Sequence, residues 1–391
     1  MAINSFTSVK RTLMGPGPSD VSSRVLQALS QHTLGHLDPL FVAMMDETKE
    51  LLQYAFQTQN QLTIPVSAPG SAGMETVFFN LLEPGDSVVI CQNGVFGGRM
   101  KEVAARCGAV VISVDDEWGD AVDPDKLEAA LKQNPDAKAV AFVHSETSTG
   151  VLSDAAQLCQ LAKKYGCLTI VDSVTSLAGV PFLVDEWHVD ATYSGTQKCL
   201  SVPPGISPVS FSEQAKQVIA NRNSKVQSWF LDLNLVMGYW GEGARSYHHT
   251  APVNALYGLH EGLVILQEEG LENSWARHER MHVALKAGFQ AMGLEFAVNE
   301  AIQLPQLNAI KIPEGVDDAV VRGKLLAEYN LEIGAGLGKF AGNVWRIGLM
   351  GQSACEENVI YCLSAMESVL AEMNAPIKTV VAVSAAQSSL S

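Results

Sequence analysis

The chain alternates short runs of apolar, β-branched residues with stretches in which apolar residues recur every three or four positions. The first kind of run favours buried strands, and the second kind favours amphipathic helices. We predict strands over 88–90, 110–114, 139–143 and 168–172. We predict helices between them over 98–107, 123–133 and 155–165. This rhythm is typical of an α/β fold in which helices cover both faces of a mostly parallel sheet.

The pattern changes in the last third of the chain. A long helical stretch covers about 258–292, strand candidates follow at 307–312 and 344–349, and a helix is expected over 355–373. We therefore predict a second, smaller α+β domain. The expected organisation is an N-terminal arm (1–15), a large domain (16–270) and a small C-terminal domain (271–391). The last residues, 385–391, are small and polar and are expected to form a disordered tail.

Composition narrows the class of protein. A chain of 391 residues with 47% hydrophobic residues can bury a large core and form two domains. Its 42 acidic and 26 basic residues give a net charge of −16, which argues against nucleic acid or an anionic membrane as a partner. No apolar run approaches the roughly 20 residues of a membrane span. Seven scattered cysteines without a C-x-x-C pair favour a reducing compartment, and we expect a cytoplasmic protein.

One lysine stands alone in an uncharged segment. Lys198 is the only charged residue between positions 191 and 212, and Asp172 closes an apolar strand candidate with no further charge before Asp185. Ligands of open α/β sheets bind beyond the carboxyl ends of the strands, where Asp172 is expected to lie. A buried lysine loses its proton readily and can form a Schiff base with an aldehyde. A solvated lysine on a loop is the ordinary alternative.

Two further segments could bind anions. A turn of small residues, 69–75, includes Gly70 and Ser71 and precedes a helical pattern. The start of a helix offers free amides and the positive end of the helix dipole to a phosphate, although such turns are often only structural. Arg346 is a lone cation inside an apolar strand candidate. Its planar guanidinium suits a carboxylate, and a salt bridge within the small domain is the alternative.

The histidines favour no metal site. The segment His278-Glu-Arg-Met-His282 matches H-E-x-x-H, a zinc-binding pattern on helices. Arg277 and Arg280 would place positive charge beside the metal, and no third ligand follows. We therefore expect a solvated helix face here and predict no bound metal.

The segment Ser194-Gly-Thr-Gln-Lys198, together with 203–212, resembles the cofactor-lysine segment of class V pyridoxal-phosphate aminotransferases. Within that group it is most similar to the alanine–glyoxylate and serine–pyruvate aminotransferases. Other blocks agree in order and spacing, over 15–18, 82–86, 146–151, 171–174, 247–250, 270–275 and 346–349. The resemblance implies a fold type I transferase with a mostly parallel, seven-stranded type of sheet. It also implies pyridoxal 5′-phosphate as the cofactor.

The resemblance also implies roles for individual residues. Lys198 would hold the cofactor as a Schiff base and shuttle a proton, and Asp172 would keep the pyridine nitrogen protonated. Arg346 would bind the α-carboxylate of the substrate. The remaining contacts with the cofactor are expected from Gly70, Ser71, Ala72, Phe96, Thr147, Val174 and Gln197. Phe96 stands where the animal enzymes stack a tryptophan on the cofactor ring, so less ring area would be covered.

The resemblance makes the active unit a homodimer with shared active sites. Tyr247 and Thr250 would reach the phosphate of the neighbouring subunit's cofactor. The implied reaction is transfer of the amino group from alanine or serine to glyoxylate, giving pyruvate or hydroxypyruvate and glycine. Aminotransferases for aminoethylphosphonate or ureidoglycine are alternatives, as is a non-catalytic protein of the same fold. A cysteine desulfurase is disfavoured, because Gln197 occupies the position where those enzymes usually have a histidine.

Overall fold

The computed structural model describes residues 3–241 and 245–391; residues 1 and 2 of the predicted N-terminal arm lie outside this range. The strands of the described residues are β1 (Thr12–Leu13), β2 (Leu62–Val66), β3 (Ser87–Gln92), β4 (Val110–Asp115), β5 (Ala139–Val143), β6 (Ser145–Glu146), β7 (Val151–Leu152), β8 (Leu168–Asp172), β9 (Ala191–Tyr193), β10 (Ser207–Phe211), β11 (Leu307–Lys311), β12 (Leu331–Glu332), β13 (Gly334–Ala335) and β14 (Val344–Gly348).

The helices of the same residues are α1 (Ser23–Leu29), α2 (Pro39–Phe56), α3 (Gly70–Leu81), α4 (Val95–Arg106), α5 (Pro124–Gln133), α6 (Ala155–Lys164), α7 (Glu213–Ala220), α8 (Leu233–Trp240), α9 (Val253–Glu269), α10 (Leu271–Met292), α11 (Asp318–Tyr329), α12 (Glu356–Glu372) and α13 (Ala382–Leu390). Three single 3₁₀ turns accompany them at Glu300–Ile302, Gly338–Phe340 and Gly351–Ser353.

The central sheet of the described residues has seven strands in the order β2-β10-β9-β8-β5-β3-β4. Strands β9, β8, β5, β3 and β4 are parallel, whereas β10 runs antiparallel to both of its neighbours. Every residue of β5 and β8 is buried, which explains why β5 is apolar throughout and why β8 has only Thr169 and Asp172 as polar residues. The predicted α/β fold with a mostly parallel sheet is confirmed.

Three strands of this sheet were not predicted. Strand β9 has only three residues, and β2 and β10 each contain a proline, Pro65 and Pro208. Because proline cannot donate to the hydrogen-bond ladder, it argues against a strand when only the sequence is read. Pro65 and Pro208 are register partners in the antiparallel pair of β10 and β2, at the edge of the sheet.

The carboxyl ends of the central strands come together. Val143, the last residue of β5, is the register partner of Asp172, the last residue of β8. Asp172 is in turn the register partner of Tyr193, at the end of β9. The parallel pairing therefore places the loops after these strands at one edge of the sheet, where α/β folds bind ligands.

A second hydrophobic cluster lies around a small antiparallel sheet. Strands β11, β14 and β13 form this sheet in that order, and residues of α10, α11, α12 and α13 pack with it. Met14 joins this cluster, and β1 pairs with β12. The helical stretch predicted over about 258–292 consists of two helices, α9 and α10, which meet at Gly270, whose φ of 84° is readily adopted by glycine. The domain limits at 15 and 270 stay a prediction.

The C-terminal tail differs from the expectation of disorder. Residues 382–390 form α13, in which Ala382 and Ala386 are buried in the second cluster. Small side chains permit close packing of this short helix, although their sequence is typical of a disordered tail. Among the described residues, no helix has the length and apolar character needed to cross a membrane.

Candidate active site

A cavity of about 140 Å³ lies at the carboxyl ends of the central strands. Eight of the residues proposed from the sequence line it: Gly70, Ser71, Phe96, Thr147, Asp172, Val174, Gln197 and Lys198. They come from the starts of α3 and α4, from the end of β8 and from the segments after β6, β8 and β9. The topology of the sheet therefore gathers side chains that are up to 128 residues apart in sequence, from Gly70 to Lys198.

Lys198 is buried, with 8% of its surface exposed. Its Nζ atom donates a hydrogen bond to the backbone oxygen of Pro16, and burial lowers the pKa of the amine to about 8. A Cβ atom on Gly17 would lie 2.7 Å from this Nζ, so only glycine lets the N-terminal segment pass so close. The amine is thus held in a dry position and loses its proton more easily than a surface lysine.

Asp172 is a buried carboxyl at the end of β8. Burial raises its pKa to about 7, although the hydrogen bond of 2.8 Å from the Val174 amide to Oδ1 opposes this effect. The hydroxyl of Tyr193 also lowers this pKa. A positive charge beside this carboxyl would favour its ionised form, so Asp172 suits a cationic ring nitrogen.

The turn at the start of α3 keeps two amides available for an anion. Pro69 caps this helix without a side-chain hydrogen bond, and no acceptor for the amides of Gly70 and Ser71 is found in the described part of the chain. The amide of Ala72 already donates to the Pro69 oxygen at 2.7 Å, and Ala72 does not line the cavity. The structure therefore favours Gly70 and Ser71 over Ala72 as the phosphate contacts predicted here.

Arg346 lies in the middle of β14 and is buried. Its Nε donates to the Ala335 oxygen at 2.6 Å, and its Nη1 donates to the Thr147 oxygen at 3.0 Å. Burial lowers the pKa of the guanidinium to about 10, and Glu146 opposes this effect. No carboxylate of the described chain forms an ion pair with Arg346, so the alternative of a structural salt bridge finds no support there.

Tyr247 and Thr250 lie outside the cavity lining. Tyr247 is 61% exposed, and its hydroxyl is 3.5 Å from that of Thr250. Their predicted contact with a second subunit's cofactor stays a prediction.

Sequence reasoning gave no role to several residues that line or adjoin the cavity. Tyr193 and Arg99 line it, and Arg99 is placed over the Phe96 ring at 5.1 Å and donates to the Ser71 hydroxyl at 3.3 Å. Glu146 is fully buried next to the lining residue Thr147. The sequence did contain signals for two of them. Arg99 is three residues after Phe96 on a helix, so the two side chains are expected to be neighbours. Glu146 follows a buried strand, where residues of the ligand-binding edge of the sheet are expected.

The histidines of the H-E-x-x-H match do not lie on a solvated face, as was expected. His278 and His282 on α10 are buried and have hydrogen-bond partners. His278 Nδ1 bonds to the Ser274 oxygen at 2.7 Å, and its Nε2 accepts from the Gly351 amide at 2.9 Å. The solvated reading was wrong because one face of α10 packs into the second cluster. In the described residues, no three His, Cys, Asp or Glu side chains are grouped to hold a metal.

The cavity fits an aromatic aldehyde that carries a phosphate. It offers a buried amine at Lys198 for the aldehyde, a buried carboxyl at Asp172 for a ring nitrogen, and apolar walls at Phe96 and Val174. The amide oxygen of Gln197 is buried in the cavity without a hydrogen-bond partner. Such an orphaned polar atom is typical of a site that contacts a ligand.

A family model described as aminotransferase class V matches residues 13–345. The chain belongs to the class V aminotransferases. It is therefore a pyridoxal 5′-phosphate-dependent enzyme with the fold type I architecture, as predicted from its lysine segment.

Two solved structures show how similar the relatives are. The ureidoglycine–glyoxylate aminotransferase of Bacillus subtilis is 40% identical with a TM-score of 0.96, and the match covers 99% of both chains. The alanine–glyoxylate aminotransferase of Nostoc sp. is 43% identical with a TM-score of 0.93, over 95% of this chain and 98% of that one. Among curated proteins, the alanine–glyoxylate aminotransferase of Rattus norvegicus is 41% identical over 92% of this chain and 88% of its own length.

Proposed function

We propose that this aminotransferase transfers the amino group of alanine or serine to glyoxylate, giving pyruvate or hydroxypyruvate and glycine. The observation that carries the proposal is that relatives named for different amino donors, alanine and ureidoglycine, are all named for glyoxylate at 40–43% identity.

The residues that line the cavity, and Arg346 beside it, have separable roles in this proposal. Bound pyridoxal phosphate supplies an aldehyde that accepts the amino group and a ring that withdraws electrons. The Nζ of Lys198 binds the cofactor and moves the substrate proton, which its pKa of about 8 permits near neutral pH. The carboxylate of Asp172 holds a proton on the ring nitrogen, and Arg346 orients the substrate through its carboxylate. Phe96 and Val174 exclude water from the ring.

Arg346 meets the requirement that the acidic composition imposes. A chain with a net charge of −16 needs a local cation to bind an anionic amino or oxo acid. The two hydrogen bonds from Nε and Nη1 to backbone oxygens orient the guanidinium without neutralising it. A carboxylate that reaches Arg346 would therefore find an unneutralised cation in a dry environment, where the attraction is strong.

Ureidoglycine is the second candidate donor. The Bacillus subtilis structure named for ureidoglycine has the TM-score of 0.96 and matches 99% of this chain. This donor is larger than alanine and carries a ureido group. It would need polar partners beyond the α-carboxylate and amino group.

The purified enzyme can be tested with a matrix of donors and acceptors. Alanine, serine, ureidoglycine and aminoethylphosphonate would each be paired with glyoxylate and with pyruvate, and kcat/KM would be measured for each pair. We expect the highest values for alanine or serine with glyoxylate. A preference for ureidoglycine with glyoxylate would replace the proposed donor, and inactivity with glyoxylate would contradict the proposed acceptor.

We infer a homodimer that shares its active sites. Support comes from exposed large apolar side chains, among them Tyr247 itself, Leu40 (73% exposed) and Trp229 (62% exposed), whose ring stacks on that of His248, the residue after Tyr247. Exposed apolar area of this kind is common at protein interfaces. Mixing inactive Lys198→Ala with an inactive Tyr247→Phe/Thr250→Ala variant should restore part of the activity, because one site of each hybrid dimer would be intact. The absence of any recovery would contradict shared sites.

We also infer a cytoplasmic location. All seven cysteines are free of disulfide bonds, and six of them are buried. This is the state expected in a reducing compartment. Fractionation of the native host would test it.

A further inference from the structure

Glu146 is a fully buried carboxylate whose polar contacts are all donors. Its Oε1 accepts from the Ser148 amide at 3.0 Å and from the Ser148 hydroxyl at 2.6 Å. Its Oε2 accepts from the amides of Phe96 at 3.1 Å and Gly97 at 3.4 Å, in the first turn of α4. Burial raises the pKa of Glu146, and the four donors on its two oxygens oppose this by favouring the ionised carboxylate. The start of a helix also favours a negative charge.

This carboxylate joins two walls of the cavity. One wall is the start of α4, where Phe96 faces the cavity. The other is the turn after β6, where Thr147 lines the cavity and accepts a hydrogen bond from Arg346. A Cβ atom on Gly94 would lie 2.4 Å from the Glu146 Cδ, so the carboxylate is also packed tightly against the backbone before α4.

The charge of Glu146 acts on the two functional cations. Burial lowers the pKa of Lys198 and of Arg346, and Glu146 raises the pKa of both. Cys199, Arg346 and Asp172 also act on the amine of Lys198. Because buried cations are unfavourable without opposite charge, Glu146 favours both the amine of Lys198 in the cavity and the guanidinium of Arg346, which bonds to the cavity wall at Thr147.

We propose that Glu146 is a positioning residue that holds the Phe96 and Thr147 walls of the cavity together and supplies the site with a buried negative charge. The proposal rests on the roles proposed above for Lys198 and Phe96. Its two parts make different predictions, because a substitution can remove the charge while keeping the length of the side chain, or shorten the side chain while keeping the charge.

Glu146→Gln tests the charge in the cofactor-free protein. The rate at which this protein combines with pyridoxal phosphate would be measured against pH, since the unprotonated amine of Lys198 is the reactive form. Loss of the negative charge should move the midpoint of this profile to lower pH. A merely structural role would leave the midpoint where it is in the wild type.

Glu146→Asp tests the geometry, because its carboxylate cannot reach both walls. We expect a weaker visible circular dichroism of the bound cofactor, because Phe96 helps to set the environment of the cofactor. The midpoint of the pH profile should stay at the wild-type value, because the negative charge is kept. We also expect a dissociation constant for the cofactor roughly 10- to 100-fold higher, as for lost hydrogen bonds to a charged group. Glu102→Gln is the matched control, since Glu102 lies on α4, the helix whose first turn Glu146 contacts, and is exposed and paired with Arg106.

The outcomes separate this inference from the proposed function. An unchanged midpoint of the pH profile in Glu146→Gln would contradict the proposed electrostatic role of Glu146. Unchanged circular dichroism and cofactor affinity in Glu146→Asp would contradict its proposed role in holding the two walls together. If Glu146→Gln does not fold, as judged by far-ultraviolet circular dichroism, the result for Glu146→Asp decides. A wild-type protein that fails to take up pyridoxal phosphate would instead contradict the role of Lys198.

Discussion

Arg346 and Thr147 connect the two parts of the structure at the cavity. The guanidinium of Arg346 on β14 donates from Nη1 to the backbone oxygen of Thr147, after β6, at 3.0 Å. Arg346 belongs to the sheet within the second hydrophobic cluster, whereas Thr147 lines the cavity of the central sheet. The group proposed to bind substrate is therefore anchored to the wall of the cofactor cavity.

Replacing Arg346 with alanine should weaken the binding of both substrates. We expect KM to rise for the amino acid and for the oxo acid by roughly 10- to 100-fold, because hydrogen bonds between charged groups are lost. Steady-state kinetics with both substrates would measure this. Arg280→Ala, which changes an exposed arginine of α10, is the control. An unchanged KM for both substrates would remove the proposed role of Arg346.

Replacing Lys198 with alanine should abolish covalent attachment of the cofactor. Borohydride treatment followed by mass spectrometry should fix pyridoxal phosphate to the wild type and not to the variant. The rate should fall by about 10²–10⁴-fold or more, since the group that moves the proton is lost. Lys101→Ala, on the surface of α4 and paired with Asp115, should behave as the wild type. Fixation to the Lys198 variant in equal amount would show that another amine holds the cofactor.

Asp172 should make the stability of the cofactor-free protein depend on pH. Its pKa rises from 3.8 to about 7 in the folded protein because it is buried, so the folded state holds this proton more tightly than the unfolded state. Its contribution to the free energy of unfolding is complete below pH 3.8 and is lost as the pH rises through 7. Asp172→Asn removes this dependence. Between pH 3.8 and 7 the free energy of unfolding of the variant should therefore rise relative to that of the wild type by on the order of 4 kcal/mol.

Denaturant unfolding of the cofactor-free forms at several pH values would measure that difference. Asp136→Asn, at an exposed carboxylate, should leave the dependence of the wild type unchanged. A constant difference between Asp172→Asn and the wild type from pH 4 to pH 8 would contradict the shifted pKa.

Replacing Gly17 with alanine should disturb Lys198 more than the overall fold. The φ of Gly17 is +104°, and its Cβ would lie 2.7 Å from the lysine Nζ. We expect a loss of about 1–2 kcal/mol in the free energy of unfolding and a lower kcat, because the lysine must move. Gly35→Ala is the control, since nothing lies within 4 Å of its Cβ and its φ is not in the left-handed region. Equal kcat values for the two variants would argue against the close contact.

Helix α13 should contribute to stability. Ala386 is buried against the second cluster, so Ala386→Arg should force the helix away and lower the Tm by several degrees. Gln387→Arg changes the neighbouring exposed position and should leave the Tm within about one degree of the wild type. If both substitutions shift the Tm equally, α13 does not pack as described.

The pattern of apolar residues alone determined the α/β class, because strands buried on both faces, such as β5 and β8, consist mainly of apolar residues. The isolation of Lys198 and Asp172 marked a candidate site, because burying a charged group costs free energy unless the group is paired or hydrogen-bonded. The ordered series of blocks related to class V aminotransferases then identified the family.

Only the tertiary structure decided which residues meet. The antiparallel strand β10, which contains a proline, and the helix at the C-terminus depend on packing partners that are distant in sequence, so their local patterns were misleading. For the same reason Glu146 went without a role: its importance depends on amides of α4 about fifty residues away in sequence. The buried histidines of α10 follow the same rule, because a helix buries whichever face its neighbours cover, and a local motif does not contain those neighbours.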